Sequence, residues 1–173
     1  MSTAPAKMFV FVGDRFACVK ISGRANFNSS IDFKTLINEL CQKGYSYFVL
    51  DLSECLLMDS TFLGVLAGFG LKMGQAQPGK PPGAIELLNP NERITDLLEN
   101  LGVLQLFKLA AGPLPVAEQT EGHEHASVPA NKEEVTRACL EAHQTLMDIN
   151  PKNISKFKEV TAFLSEDLKK LKP

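Results

Sequence analysis

The sequence predicts a mixed α/β fold, a mostly parallel sheet with covering helices, followed by a C-terminal helical hairpin. The first two apolar runs of the chain are separated by Gly13 and Asp14, which is typical of a β-hairpin. Short apolar runs then alternate with helix-length segments, as in parallel strands linked by helices. A polar, proline-containing stretch follows. The predicted organisation is therefore an α/β domain at 1–112, a polar linker at 113–130 and a two-helix extension at 131–173.

The hairpin strands are expected at Met8–Val12 and Phe16–Ser22, and a helix follows them. Ser29 and Ser30 are residue types that commonly cap the start of a helix. Apolar residues then recur at three-and-four spacing up to Gly44, and they are Phe33, Leu36, Ile37, Leu40 and Cys41. A helix with one such stripe packs that stripe against a sheet.

The next strand and helix are apolar on more than one face. Tyr47–Leu52 is nearly all apolar, which is typical of a strand buried on both faces of a parallel sheet. Ser53–Asp59 is expected to be a loop, and a helix is expected to start at Ser60. Because Phe62–Met73 is apolar almost all round, this helix is predicted to be deeply buried or covered by a partner.

Three more elements complete the first domain and give the order ββαβαβαβ. A loop at 75–83, rich in proline and glycine, precedes a strand at Ile85–Leu88. A helix is expected from Asn89 to its stop at Gly102, and a last strand at Leu104–Leu109.

Two amphipathic helices are predicted after the linker. Asn131 and Glu134 have the spacing of a capping box. The first apolar stripe consists of Val135, Ala138, Ala142 and Ile149. The second consists of Ile154, Phe157, Leu164, Leu168 and Leu171. Because such helices cannot bury their stripes alone, they are expected to pair and to dock on the first domain or on a second copy, which leaves a homodimer open.

The bulk composition argues against several classes of function. With a net charge of −2 and scattered Lys and Arg residues, no nucleic-acid partner is expected. The four cysteines include no Cys-x-x-Cys pair, so neither a disulfide framework nor a zinc site is predicted. The longest apolar run is shorter than a membrane span of about 20 residues. No signal peptide is recognised either, so membrane insertion is not expected and the cytoplasm is the predicted location.

The segment Asp59-Ser60-Thr61, at the start of the apolar helix, is the main candidate site. A helix N-terminus has unpaired N–H groups and a partial positive charge, so these side chains can act as a plain N-cap. The same place also suits a phosphate, whose negative charge the helix end favours. The residues alone leave both interpretations open.

The element order and the segment Met58-Asp59-Ser60-Thr61-Phe62-Leu63-Gly64 resemble the STAS family, the domain of bacterial anti-sigma-factor antagonists. The resemblance covers about residues 7–110 and implies a STAS-like fold and a non-enzymatic signalling switch in transcription regulation. It implies phosphorylation of Ser60, with Thr61 as the lesser candidate. The implied partners are an anti-sigma factor or serine kinase and a PP2C-type phosphatase.

The partner-binding surface implied by this resemblance comprises Asn26, Asp59, Ser60, Thr61 and Phe62. Two of these residues depart from the family pattern. Phe62 replaces the usual glycine and is expected to be a hydrophobic anchor for the partner or a hindrance to the kinase. Asn26 replaces a common aspartate and removes a charge from the surface.

Three other functions can be compared with these residue patterns. Glu121, His123, Glu124 and His125 have metal-ligand chemistry but lie in the polar linker, so no metal site is predicted. A serine hydrolase would need a general base near Ser60. The three histidines lie outside the first domain, so no catalytic residue and no cofactor is predicted. The main alternative is a constitutive STAS subunit of an ABC-type lipid-transport complex, in which the apolar helix packs permanently on an ATPase.

Overall fold

The computed structural model of the chain describes residues 6–74, 83–114 and 122–171. Its strands are β1 (Lys7–Val12), β2 (Ala17–Ala25), β3 (Tyr47–Asp51), β4 (Cys55–Met58), β5 (Ala84–Leu88), β6 (Lys108–Ala110) and β7 (His123–Glu124). Its α-helices are α1 (Phe27–Gln42), α2 (Ser60–Gly74), α3 (Glu92–Asn100), α4 (Lys132–Ile149) and α5 (Ile154–Leu171). Short 3₁₀ turns lie at Leu104–Leu106 and Pro151–Asn153.

The strands form one mixed sheet in the order β6-β5-β3-β2-β1-β7. Strands β2, β3, β5 and β6 run parallel to one another, whereas β1 pairs antiparallel with β2 as the predicted hairpin. The predicted fold class, a mostly parallel sheet with covering helices and a C-terminal helical hairpin, is confirmed. Parallel strands place their carboxyl ends along one edge, and the segments that follow β2 and β4 meet there.

The main core lies under α1 and α2. Phe33 of α1 stacks against Phe62 of α2 with ring centroids 4.8 Å apart, and both rings are fully buried. α4 packs against α1 and α2 and so adds a further layer of helix outside them. The almost all-round apolar character of α2 therefore has an explanation within this chain, because α2 contacts β5, α1 and α4.

Strand β4 differs from the sequence-based expectation of a loop at Ser53–Asp59. It pairs in parallel with the end of β2, with Gly23 opposite Cys55 and Ala25 opposite Met58. The four residues are too few to establish an alternating pattern, so their strand character comes from pairing rather than from local sequence. The pairing matters because it fixes the backbone that leads directly into α2.

Helix starts also differ in detail. α1 is capped by Asn26, whose side chain accepts a hydrogen bond from the N–H of Asn28, 3.1 Å away. Ser29 and Ser30, the expected caps, are buried inside α1. α3 is capped by Asn91 rather than by Asn89. The start of α4 is capped by Asn131 as predicted, through a 2.8 Å bond from the N–H of Glu134.

The last part of the predicted linker lies against the first domain. β7 pairs antiparallel with β1, and the N–H of His125 donates to the carbonyl of Met8 at 2.8 Å. Further along, the Asp32 carboxylate accepts bonds from the Ser127 hydroxyl (2.7 Å) and the Val128 N–H (3.1 Å). The chain is therefore attached to β1 and α1 immediately before α4 begins.

The two C-terminal helices pair as predicted, but their burial differs. The buried residues of α4 are Thr136, Leu140, Ala142, His143 and Leu146, whereas Val135 and Ile149 of the predicted stripe are only half-buried. α5 has no buried residue, and Phe163 is 70% exposed. None of the helices in the described ranges is long and apolar enough to span a bilayer.

Candidate functional site at the start of helix α2

Asp59 ties the N-termini of α1 and α2 together. Its Oδ2 accepts a hydrogen bond from the N–H of Phe27 at 2.7 Å, and its Oδ1 accepts one from the N–H of Phe62 at 2.8 Å. The N–H of Asp59 donates to the carbonyl of Ala25 at 3.0 Å, which continues the β2–β4 pairing. Burial raises the pKa of the Asp59 carboxyl, while the bonds from Phe62, Phe27 and Thr61 and the proximity of His143 act in the opposite direction.

Ser60 is the first residue of α2, and its side chain is half-buried. The Ser60 Oγ lies 2.8 Å from Nε2 of His143, which belongs to α4. Thr61, the lesser phosphorylation candidate, is 5% exposed, and its hydroxyl donates to Sγ of Cys139 at 3.6 Å. Of the two hydroxyls, that of Ser60 is therefore the more accessible.

The direction of the Ser60–His143 hydrogen bond follows from the other side of the imidazole. Nδ1 of His143 lies 2.6 Å from the carbonyl oxygen of Cys139. A carbonyl only accepts, so Nδ1 of His143 carries a proton, and in the neutral form of the ring Nε2 then accepts from the Ser60 hydroxyl. His143 is 5% exposed, and its ring meets that of Phe157 in α5 at 4.9 Å.

Close backbone packing accompanies this hydrogen bond one turn further along α2. A Cβ atom at Gly64 would lie 2.5 Å from the carbonyl oxygen of Ala142 and 2.8 Å from its Cβ. At Gly68 the corresponding atom would make an ordinary 3.6 Å contact with Thr145. The closest backbone contact between α2 and α4 therefore lies at Gly64.

The five residues of the expected partner surface do not all face outward. Asn26 and Asp59 are brought together with Ser60 at one edge of the sheet. Phe62 is fully buried in the core and cannot serve as a surface anchor, so that expectation is corrected. Its N–H belongs to the Asp59 cap, whereas its ring points towards α1.

Two exposed apolar side chains on the elements next to Asp59 in the fold were missed. Phe27, which follows the α1 cap and donates its N–H to Asp59, is 40% exposed. Leu56, on β4, is 58% exposed. For Phe27, the position of a large apolar residue directly after a helix cap is a weak sequence signal of exposure. Leu56 gave no such signal, because β4 itself was not recognised as a strand.

His143 was also missed, because its position in the extension was taken to exclude a role near Ser60. A signal was present: Thr136, Cys139, Leu140, His143 and Leu146 recur at three-and-four spacing, which places them on one face of α4. Choosing only the apolar residues shifted the predicted face. The structure thus supplies a base beside Ser60 that sequence reasoning did not foresee.

A serine–histidine pair is the arrangement of a nucleophile and a general base, but acyl transfer also needs donors for an oxyanion. The N–H of Phe62 is bound by the Asp59 side chain, and that of Leu63 by the Asp59 carbonyl. A groove of about 330 Å³ between α1, α2 and α4 is lined by other residues, including Lys34, Gly68 and Glu141. Both of these N–H groups are thus already bonded to Asp59, and neither Ser60 nor His143 lines the groove.

The histidines of the linker lie apart from this site. His123 and Glu124 form β7, and both side chains are exposed. Among residues 6–74, 83–114 and 122–171, no three His, Cys, Asp or Glu side chains are placed to hold a metal ion. Glu121 of the linker cluster lies outside those ranges.

Comparison with solved structures finds anti-sigma factor antagonists among the proteins of similar fold. A putative anti-sigma factor antagonist from Thermotoga maritima aligns at 23% identity and a TM-score of 0.50, over 58% of this chain and 83% of its own. One from Mycobacterium paratuberculosis aligns at 19% identity and 0.53, over 68% and 92%. The Bacillus cell fate determinant SpoIIAA in its phosphorylated form aligns at 17% and 0.50, over 62% and 92%. At identities this low, the structural similarity shows a shared fold and no more.

A search of curated proteins gave no significant match. A family profile described as the STAS domain matches residues 12–113, which include every element from β2 to β6, whereas α4 and α5 lie outside it. The match spans more than half of the chain and contains Asp59 and Ser60 at the start of α2. On these grounds the chain belongs to the STAS domain family.

Proposed function

We propose that this protein is a non-enzymatic signalling switch of the anti-sigma-factor-antagonist kind, controlled by phosphorylation of Ser60. The observation that carries the proposal is the position of Ser60 as the first residue of α2, next to an Asp59 that braces two helix starts. Proteins of the same fold are named anti-sigma factor antagonists, and one was solved in a phosphorylated form. By this analogy we expect the protein in the cytoplasm of a bacterium.

Phosphorylation at this position would change charge without requiring a new fold. A phosphate adds a charge of about −1.5 to −2 at neutral pH, and the end of a helix favours it. Asp59, one residue away, already contributes a carboxylate. A partner that covers this edge when Ser60 is unmodified would therefore meet repulsion and a desolvation cost after phosphorylation.

The proposed docking edge is formed by Asn26, Phe27, Leu56, Asp59 and Ser60. Phe27 and Leu56 supply exposed apolar area, while Asn26 and Asp59 supply polar atoms around Ser60. Exposed aromatic residues with polar neighbours are typical of binding hot spots. Phe27 thus takes the anchoring role that sequence reasoning assigned to Phe62.

The direct test is the intact mass of the protein purified from its native host, before and after treatment with a PP2C-type phosphatase. One phosphate that is removed by the enzyme and maps to Ser60 by fragmentation supports the switch. An unmodified Ser60 under every growth condition tried would contradict the proposed switch. A phosphate on Thr61 instead would contradict the assignment of the acceptor.

The partner is tested by affinity capture from the same host. Ser60→Ala is expected to retain an anti-sigma factor or serine kinase, and Ser60→Asp to lose it. Phe27→Ala should weaken capture, with the exposed Phe163→Ala of α5 as the matched control on a distant helix. Equal capture by the Ala and Asp variants of Ser60 would contradict the switch.

A constitutive subunit of an ABC-type lipid-transport complex is the alternative. In that arrangement the apolar face of α2 would pack on an ATPase, but in this chain α4 packs against α2. Purification of the protein from a whole lysate of its native host without an ATPase favours the switch, whereas stable co-purification with one favours the subunit.

A further inference from the structure

We propose that α4 is a built-in cap over Ser60, and that a docked α4 and a phosphorylated Ser60 exclude each other. The inference rests on the proposed function, because it concerns the regulation of the same serine. It assigns a role to the C-terminal extension, which lies outside the family match. The contacts between α2 and α4 carry it.

The first contact is the Ser60–His143 hydrogen bond. In the neutral form of the ring, whose Nδ1 proton is directed at the Cys139 carbonyl, Nε2 of His143 accepts a hydrogen bond from the Ser60 hydroxyl. A phosphate ester has no proton on that oxygen and carries acceptor oxygens of its own. Phosphorylation therefore removes the donor and leaves Nε2 facing acceptors, in a ring that is only 5% exposed.

The second contact leaves little room for adjustment. Around Gly64 the backbone of α2 approaches Ala142 so closely that not even a methyl group would fit. On the same face Thr61 bonds to Cys139, and Leu146 is fully buried. A dianionic group beside Asp59 cannot be received by a face packed this tightly without moving α4.

Coupling of this kind acts in both directions. If a phosphate on Ser60 weakens the docking of α4 by some factor, docked α4 must disfavour phosphorylation, or any partner that needs the same face, by that factor. The cost of an unpaired buried acceptor corresponds to roughly 5- to 150-fold. Release of α4 would thus be a condition for a kinase or partner to reach Ser60.

The chain contains its own reporter of α4 release. Cys139 is half-buried on the face of α4 that meets α2, and burial raises the pKa of its thiol. Its alkylation is slow while α4 is docked and speeds up in proportion to the released population. Cys18 and Cys55, both buried in the first domain, report global unfolding in the same sample.

The experiment compares the full chain with and without phosphoserine incorporated at position 60, and follows iodoacetamide labelling of each cysteine by mass spectrometry. The phosphoserine protein should label Cys139 roughly 5- to 150-fold faster, with Cys18 and Cys55 unchanged. Amide hydrogen exchange over Lys132–Ile149 should rise in parallel. Unchanged or slower labelling of Cys139 would overturn the proposal, since it would mean that the phosphate fits under α4.

Gly64→Ala provides a second route to the same state without touching Ser60 or His143. The added methyl group should displace α4 from α2 and expose Cys139. In Gly68→Ala the methyl group fits beside Thr145, so Cys139 should be labelled as slowly as in the unmodified chain. If Gly64→Ala and Gly68→Ala label Cys139 equally slowly, the packing argument is wrong. Neither measurement depends on whether Ser60 is phosphorylated in the host, so intact mass tests the proposed function separately.

Discussion

Nε2 of His143 lies 2.8 Å from Oγ of Ser60, although 83 residues separate the two in sequence. One belongs to the STAS domain and the other to a helix beyond it. The bond ties the folding of the extension to the candidate regulatory residue. It also means that substitutions at Ser60 change the docking of α4 as well as the local charge.

A double-mutant cycle measures this bond. Ser60→Ala removes this hydrogen bond, leaves the buried Nε2 of His143 without a partner and should lower the free energy of unfolding by about 1–3 kcal/mol. Combined with His143→Ala, the pair should show a coupling of about 0.5–3 kcal/mol in urea denaturation. Single effects that add without coupling would indicate that the two side chains do not interact in solution.

Asn153 should hold the hairpin to the STAS domain. It is fully buried, and its Nδ2 donates to the carbonyls of Leu101 and Leu146 at 2.9 and 2.8 Å. Asn153→Ala is expected to cost about 1–3 kcal/mol, because the Leu101 carbonyl loses its Asn153 donor and the Leu146 carbonyl keeps only the N–H of Asn150. Asn153→Asp should cost at least as much, since a carboxylate cannot donate to either carbonyl.

The control for that prediction is Lys152→Ala, one residue earlier. Lys152 is exposed, so the substitution should change the free energy of unfolding by no more than about 0.5 kcal/mol. Equal effects at positions 152 and 153 would show that the buried amide contributes nothing to docking.

The two phenylalanines near the site should separate stability from binding. Phe62→Ala removes a fully buried ring and is expected to cost about 3–5 kcal/mol. Phe27→Ala should cost less than about 1 kcal/mol, because that side chain is 40% exposed and its backbone N–H still reaches Asp59. Urea unfolding of both variants checks this, and a large loss of stability from Phe27→Ala would argue against a free binding residue.

Thiol reactivity should follow burial. Burial raises the pKa of Cys18 to about 12 and that of Cys55 to about 11, so at pH 8 almost no thiolate is present at either. Cys41 is exposed at the end of α1 and should be labelled first by iodoacetamide. Peptide mapping after brief treatment checks the order, and early labelling of Cys18 or Cys55 would mean that the domain core opens readily.

The fold was largely predictable because its helices and central strands carry strong periodic patterns. The uniform apolar run at Tyr47–Leu52 identified a doubly buried strand, and the stripe from Phe33 to Leu40 identified α1. β4 was not predictable, since its pairing with β2 is decided by the neighbouring strand rather than by its own four residues. A local hydrophobic pattern indicates which face of an element is buried, but it does not show with which strand that element pairs.

The start of α2 at Ser60, with Asp59 before it, was predictable from the sequence. The burial of Phe62 was not predictable, because a residue that follows a cap can turn either to solvent or to the core. His143 escaped for a different reason. From sequence alone, a polar residue such as His143 is expected to be exposed to solvent. Only the tertiary structure shows that it is buried and hydrogen-bonded.

If α4 is released from α2 as we propose, the pairing of β7 with β1 determines how far α4 can move away. The chain just before α4 remains tied to β1 and to Asp32, so a released α4 stays within a short tether of its footprint on α2. Its effective concentration there is of the order of millimolar, as for short flexible links. A free partner must compete with α4 at this effective concentration. Only a ligand of high affinity or high concentration, or phosphorylation of Ser60, would therefore keep the α4-binding face of α2 exposed.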